Sequence, residues 1–381
     1  MLTVPDLQTR TVKGIEEIAL MRDEWDDVVK ASQGTIFRSH AFTMAWLNRF
    51  SDRASIEVSV VQKDGKTVGI LPAASHGVKV LKVNGRVLSP VGLCGAQNEF
   101  HNLGPMVVPG NDESLDSLVR EMSKQRWDLL DFRYLTDSPI NRKFISAIDG
   151  KWGVEMRPPD PCPFIELPME GDAIAAIGSR TRRSIRSSIK NLEREERLTF
   201  RTLRDRTSMM AACEEHVAMH QTRWKRKGGS IFDDDAQIDF LHDLVTLAAD
   251  GEYGAFYAVD IDGMVAAQLL CFYDREWCRA YQLSVNDHFL DENPGHLVFY
   301  HMMKDVQSRG MHYIDFGPGS DLYKFRLGAK ESYIIGFQAM RGKLALMRKA
   351  STFPGIKSLV EKTGMRNKAA ESMNVPPRET Q

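Results

Sequence analysis

Apolar residues recur along this chain at two spacings, and the switching between them outlines the elements. Residues 12–33 read as a strand entering an amphipathic helix, with Ile15, Ile18, Leu20 and Trp25 as core candidates. From Ser39 to Phe50 the residues Phe42, Trp46 and Phe50 return every four positions, which predicts a second short helix with Ser39 as its cap. Ile56, Val58 and Val60 then alternate with polar residues. Asp64-Gly65 supplies a hairpin turn, and Val68, Ile70 and Leu71 open the return strand. Another strand pair is expected around Asn84-Gly85, followed by a helix over 112–126 and a buried strand over 127–135.

The second half repeats the plan at greater length. Helix is expected over 172–197, strand over 199–203, and helices over 207–227 and 234–250. The 207–227 helix sets Met210, Cys213, Val217, His220 and Trp224 along one side. Residues 253–286 read as three antiparallel strands turning at Asp262-Gly263 and Asp274-Arg275. A helix starts at Pro294-Gly295, and 312–319 is a short strand with a glycine-rich exit. A helical turn or two over 322–328 and a strand over 332–340 complete the pattern. The fold class is therefore α+β: two similar units, each a mixed, mostly antiparallel sheet flanked by helices. The expected domains are 1–160 and 161–345, with a basic helix and frayed tail over 346–381.

Composition narrows the partners. The chain has 381 residues, 43% of them hydrophobic, enough for two cores. Lys and Arg total 50 against 51 Asp and Glu, so no global charge draws the protein to DNA or a membrane, and electrostatic partners must be sought in local clusters. The cysteine count is five, and no CxxC occurs, which argues against a disulfide framework and a thiolate zinc site. The amino-terminal residues contain no apolar leader, and no run of 18 apolar residues occurs, so a cytoplasmic location is expected.

The order of elements is that of the GNAT acyltransferase superfamily. Four stretches, in order, resemble its cellulose-biosynthesis acetyltransferase (CelD/BcsL-type) branch. They are TIFRSHAFTMAWLNRF with VGILPAA, then SRTRRSIRSSIKNLEREE, then the segment from Trp224 through GEYGAFYAVDIDGMVAAQL to ENPGHLVFYHMM, and finally DFGPGSDLYKFRLGA. The resemblance spans residues 15–345. It implies tandem GNAT-like domains in a layout similar to Fem-type aminoacyltransferases. It implies acetyl-CoA or another acyl-CoA as cosubstrate, no metal, and a small-molecule or glycan acceptor reacting through an amine or hydroxyl. Its setting is exopolysaccharide or cell-envelope assembly, with polysaccharide-synthesis machinery at the inner membrane as a partner.

Candidate residues follow from that resemblance and from local chemistry. A helix N-terminus attracts phosphate, so Asn293, Gly295 and His296 are candidates for the diphosphate of coenzyme A. The loop carries one glycine where GNAT loops are richer. Gly317 and Gly319 allow a sharp strand exit beside the acyl thioester. The resemblance implies that Tyr323 protonates the leaving thiolate, while Lys324 has a phosphate or Asp321 as alternative partners. Asp287 or His288, at a strand end lining the cleft, is the general base. The arginines of the 172–197 helix, among them Arg182, Arg183 and Arg186, offer an anion-binding face. His216 and His220 stand one turn apart without a third metal ligand, and His220 and Trp224 are candidates for acceptor contact. Two alternatives stay open: a Fem-like transferase using aminoacyl-tRNA, and a non-catalytic GNAT-fold scaffold.

Overall fold

A computed structural model describes residues 7–80, 83–93, 103–226, 228–342 and 344–346. Cys94 and the expected tail beyond Leu346 lie outside the described residues. The chain divides into two compact units, Met1–Pro159 with Ile334–Gln381, and Asp160–Tyr333.

The first stretch of chain runs β1 (Leu7–Lys13), α1 (Ile15–Ala19), α2 (Arg22–Ala31), α3 (His40–Phe50), β2 (Ser55–Lys63), β3 (Lys66–Val80) and β4 (Val83–Pro90). It continues through β5 (Met106–Val107), α4 (Ser114–Lys124), β6 (Leu129–Thr136), α5 (Pro139–Trp152) and β7 (Glu155–Met156). The rest comprises β8 (Asp160–Pro161), β9 (Phe164–Glu166), α6 (Ser179–Arg194), β10 (Leu198–Leu203), α7 (Arg206–Lys225), α8 (Asp235–Asp250) and β11 (Gly254–Ile261). It closes with β12 (Met264–Asp274), β13 (Trp277–Val285), α9 (Pro294–Ser308), β14 (Tyr313–Asp315), α10 (Leu322–Arg326) and β15 (Tyr333–Met340). None of the described helices is long and apolar enough to cross a membrane.

The first sheet has the order β1-β2-β3-β4-β6-β15-β7, with β5 against β3. The second has the order β10-β11-β12-β13-β14-β9. In both, three antiparallel strands lead through a helix to a strand parallel to the third: β4 with β6, and β13 with β14. The sixth place is filled by chain exchange. In the second sheet it is taken by β9, which precedes that unit's other strands; in the first it is taken by β15, from the far end of the chain.

That exchange corrects the expected boundary at 345. The last strand was expected in the second half, yet β15 pairs antiparallel with β6. Phe337 of β15 is fully buried and stacks on Phe132 at 5.3 Å between ring centres, with Phe144 edge-on at 6.0 Å. Burying such a ring contributes about 1.5–3 kcal/mol, which fixes the strand in that core.

Other expectations also change. Ile18 and Trp25 are buried, but Ile15 and Leu20 face solvent, because α1 is only five residues long and turns into α2. Asn84-Gly85 is not a turn: Asn84 pairs with Lys79 and Gly85 with Val78 inside the β3–β4 ladder. The glycine there serves packing, since a Cβ would sit 3.1 Å from Leu344. The helix expected over 172–197 breaks at Gly178, whose extended backbone separates a short turn over 173–176 from α6.

Candidate active site

The irregularity that organises the second unit lies in β13. It pairs with β12 from Trp277 opposite Asp274 to Val285 opposite Ala267, with one extra residue on β13 between Ala280 and Gln282. A bulge of this kind shifts the register of the ladder at Tyr281. On its other edge β13 pairs with β14 for only three residues: Trp277 with Tyr313, Cys278 with Ile314, and Arg279 with Asp315. There the strands part. The chain after Asp315 stays with the β9 side, where Phe316 N–H donates to Pro163 O (3.0 Å) and Gly319 N–H to Pro161 O (2.8 Å). The edge of β13 from Ala280 to Leu283 is half-exposed.

A buried ion pair pins the point of divergence. Arg279 donates to Asp315 at 2.6 Å and to Asp274 at 3.1 Å, and its guanidinium lies over the Trp277 ring. Asp315 also accepts from Gly317 N–H at 2.7 Å, so the same carboxylate starts the strand exit. Gly317 (φ 71) and Gly319 (φ 104) take left-handed backbone conformations that other residues rarely hold. The Cys162 thiol beside Asp315 is pushed up in pKa, first by burial and then by that carboxylate, so it stays protonated.

Lys324 holds the exit loop. Its buried ammonium donates to the carbonyls of Gly317 (3.1 Å), Pro318 (2.8 Å) and Gly319 (3.1 Å), with Asp321 at 3.5 Å. These contacts occupy it with the protein's own backbone rather than a phosphate. Tyr323, one residue earlier, packs its ring against Phe299 of α9 (5.8 Å) and Phe316 (6.4 Å), which follows β14.

The start of α9 lies along the unpaired part of β13. A Cβ on Gly295 would be 3.7 Å from Val285 and 3.9 Å from Leu283, an ordinary contact. No side chain caps this helix, and Asn293 precedes it in the left-handed region (φ 57). His296 and Leu297 donate their N–H groups to Asn293 O, and Pro294 has none. The first turn therefore presents the Gly295 N–H, with the helix dipole behind it. Burial lowers the His296 pKa first, and the Arg326 charge lowers it further. The cradle for a diphosphate is thin, with the single Gly295 N–H presented by the first turn of α9.

The acceptor-side candidates separate into groups. Asp287 lies 3.7 Å from Arg223 of α7. Next to Arg223, Trp224 is 40% exposed and stacks on His220 at 5.6 Å, and His220 accepts from or donates to Ser230 at 2.8 Å. Asp287, His220 and Trp224 are thus linked through Arg223 and its neighbours. His288 stands apart: it is exposed and lies near Asp262 of the β11–β12 turn. Arg186 pairs with Asp172 at 3.0 Å, Arg182 reaches back to Ala175 O, and Arg183 is exposed.

His216 is fully buried, and its Nε2 lies 3.4 Å from Gln282, the residue after the bulge. Burial pushes its pKa down to about 3 and that of His220 to about 4, so both are neutral near pH 7. Their separate partners keep them from acting as one ligand pair. Among the described residues no group of three His, Cys, Asp or Glu gathers where a metal could sit.

Arg279, Gln282 and the Tyr281 bulge were not singled out from sequence. Polar residues at 279 and 282 break the two-residue alternation of β13, and that break was the available signal. A second unforeseen network joins Tyr257, Tyr273 and Asp305: Tyr257 donates to Asp305 at 2.7 Å and lies 2.6 Å from the Tyr273 hydroxyl, and Arg204 completes it at 2.5 Å. It ties β11 and β12 to α9.

A family model described as an acetyltransferase (GNAT) domain matches residues 179–325, which contain the β13 bulge, the α9 start and Tyr323. This stretch is a GNAT acyltransferase domain. Its cosubstrate class is acyl-coenzyme A. No curated protein matches the chain. Among solved structures, the crystal structure of FemX is similar at TM-score 0.60 and 12% identity, covering 84% of this chain and 96% of that one. A tandem GNAT protein from the clavulanic acid biosynthesis pathway is similar at TM-score 0.50 and 11% identity, covering 88% and 99%. A protein of unknown function from Bacteroides thetaiotaomicron reaches TM-score 0.55 at 9% identity, covering 87% and 100%. At such identities the likeness is one of fold. It covers both units as a fold, while the cellulose-biosynthesis branch has no support from these matches.

Proposed function

We propose that the second unit transfers an acetyl or other short acyl group from coenzyme A to an amine or hydroxyl of a sugar-type acceptor. The parting of β13 and β14 after three residues, with Tyr323 against Phe299 of α9 and the α9 start alongside, carries this reading. The exposed Trp224 face beside His220, Arg223 and Asp287 supports a sugar: an aromatic plate flanked by polar groups suits a ring with one apolar face.

In this reading Asp287 takes the proton from the attacking amine or hydroxyl, directly or through a water, with His288 as the other candidate base. A backbone N–H of β13 donates to the acyl carbonyl oxygen as charge develops there. The new bond to the acceptor forms, the carbon–sulfur bond breaks, and the Tyr323 hydroxyl gives its proton to the departing thiolate. The proton held by Asp287 then passes through solvent to the Tyr323 phenolate, which restores both groups. His220 and Trp224 hold the acceptor, and Arg182, Arg183 and Arg186 favour an anionic group on either substrate. Lys324 keeps the exit loop in shape.

Thiol release from acetyl-CoA tests the reading. It is expected to rise at least tenfold over the hydrolytic background with an amino sugar or glycan fragment from a panel, giving an acylated product by mass. Release that no acceptor accelerates would count against it. The thin diphosphate cradle favours one alternative, a Fem-like transfer from aminoacyl-tRNA, for which the basic face of α6 is a suitable contact. Its signature is stabilisation by aminoacyl-tRNA and indifference to acetyl-CoA. A role in polysaccharide or cell-envelope synthesis belongs to the same proposal.

A further inference from the structure

The first unit carries an open concavity of about 400 Å³ lined by Arg86, Arg126, Trp127, Asp128 and Arg341. That volume lies within the range of small-molecule sites. Three guanidinium groups face one carboxylate here. The carboxylate is already engaged, since Asp128 accepts the Arg86 backbone N–H at 2.9 Å.

Arg341 is fixed in place. It donates to Trp127 O (2.6 Å), Ser123 O (2.9 Å) and Gln125 O, and its guanidinium lies 4.0 Å from the Trp127 ring centre. These partners are neutral carbonyls, so they consume three of its five N–H groups without cancelling its charge. Burial lowers the Arg341 pKa, with Asp128 opposing, so its charge is held at a cost that a nearby anion would offset. Two further donors are unmet. Among the described residues, Arg86 Nε and Trp127 Nε1 are buried and have no hydrogen-bond partner, and Trp127 is 3% exposed. Buried donors without acceptors are uncommon, and a bound ion is one of the ordinary explanations.

We propose that this concavity binds the phosphate group of a small phosphorylated molecule, between Arg86, Arg126 and Arg341. Doubly charged tetrahedral oxygens match the excess positive charge and accept several guanidinium N–H bonds at once. The remaining space takes the organic part. Trp127 offers it no open ring face, because Arg341 covers one side and Trp152 meets it edge-on at 5.0 Å. The site is independent of acyl transfer in the second unit.

Calorimetric titration of the full chain with inorganic pyrophosphate, in phosphate-free buffer, tests the proposal, and the arginine variants separate this site from the start of α9. Saturable binding is expected, weakened at least tenfold by Arg126→Glu, which alters an exposed residue, and by Arg86→Ala. Asp128→Asn removes the one negative charge and should tighten binding several-fold. Absence of saturable binding, equal heats with sodium sulfate and sodium chloride at matched ionic strength, or Arg126→Glu binding as tightly as the natural protein would overturn it.

Discussion

The two units share one topology and treat its weak point differently. In each, a third antiparallel strand outruns the parallel strand beside it. In the first unit β4 meets β6 only at Val87–Leu129 and Leu88–Leu130, and the space beyond is filled by the chain itself. Phe37, Arg38, Val91, Leu103, Gly104 and Met106 close around a remnant of about 10 Å³, room for roughly one water. Ser89, Pro90 and Val91 are buried, and Arg38 is spent on the Pro105 carbonyl at 2.6 Å. In the second unit the edge from Ala280 to Leu283 stays half-exposed, and glycines and a buried lysine shape the exit beside it. A repeated fold thus carries one edge closed over by its own chain and one left half-exposed, and the half-exposed one lies within the acetyltransferase match.

Several changes would break or sharpen that contrast. Arg279→Ala removes the shared partner of Asp315 and Asp274 where the half-exposed edge begins, and should cost about 3–5 kcal/mol of the second unit's stability, read by chemical denaturation. Tyr323→Phe should slow acyl transfer about 100-fold, roughly 2.7 kcal/mol of barrier, with the denaturation midpoint of the protein little changed. Arg38→Met, at the closed edge, should show the reverse: about 1–3 kcal/mol of stability lost with turnover unchanged. Per pH unit, the effect of acid is smaller than these. The unfolded chain binds a proton at His216 below about pH 6.5, whereas the folded chain does so only near pH 3. Stability should therefore fall as the pH drops through that window, by at most about 1.4 kcal/mol per unit for this group. His216→Gln should flatten the slope of an acid denaturation series.

Much of this was legible in the chain. The four-residue spacing of Phe42, Trp46 and Phe50 gave α3, whose Ser39 cap accepts the Phe42 N–H at 3.1 Å. The Pro294-Gly295 start and the glycine exit at 317–319 stand where the pattern put them. The exchange of β15 and β9 was not legible, because alternation along a strand says which face is apolar and not which sheet receives it. Tyr281 was missed for a related reason, since a bulge shifts the alternation that would reveal it. Lys324 was legible in part: its pairing with Asp321 stands at 3.5 Å, whereas only the folded chain brings three carbonyls to its ammonium.

Acetyl-CoA binding by thermal shift, on the natural protein and on Gly295→Glu, tests the half-exposed edge most directly. The substitution meets no steric obstacle at its Cβ and sets a carboxylate at the start of α9. At one hundred times its Kd, acetyl-CoA should stabilise the natural protein by about 2.7 kcal/mol, and the variant should lose most of that gain. An unshifted natural protein, or a variant stabilised just as much, would contradict an acyl-coenzyme A site between β13 and β14.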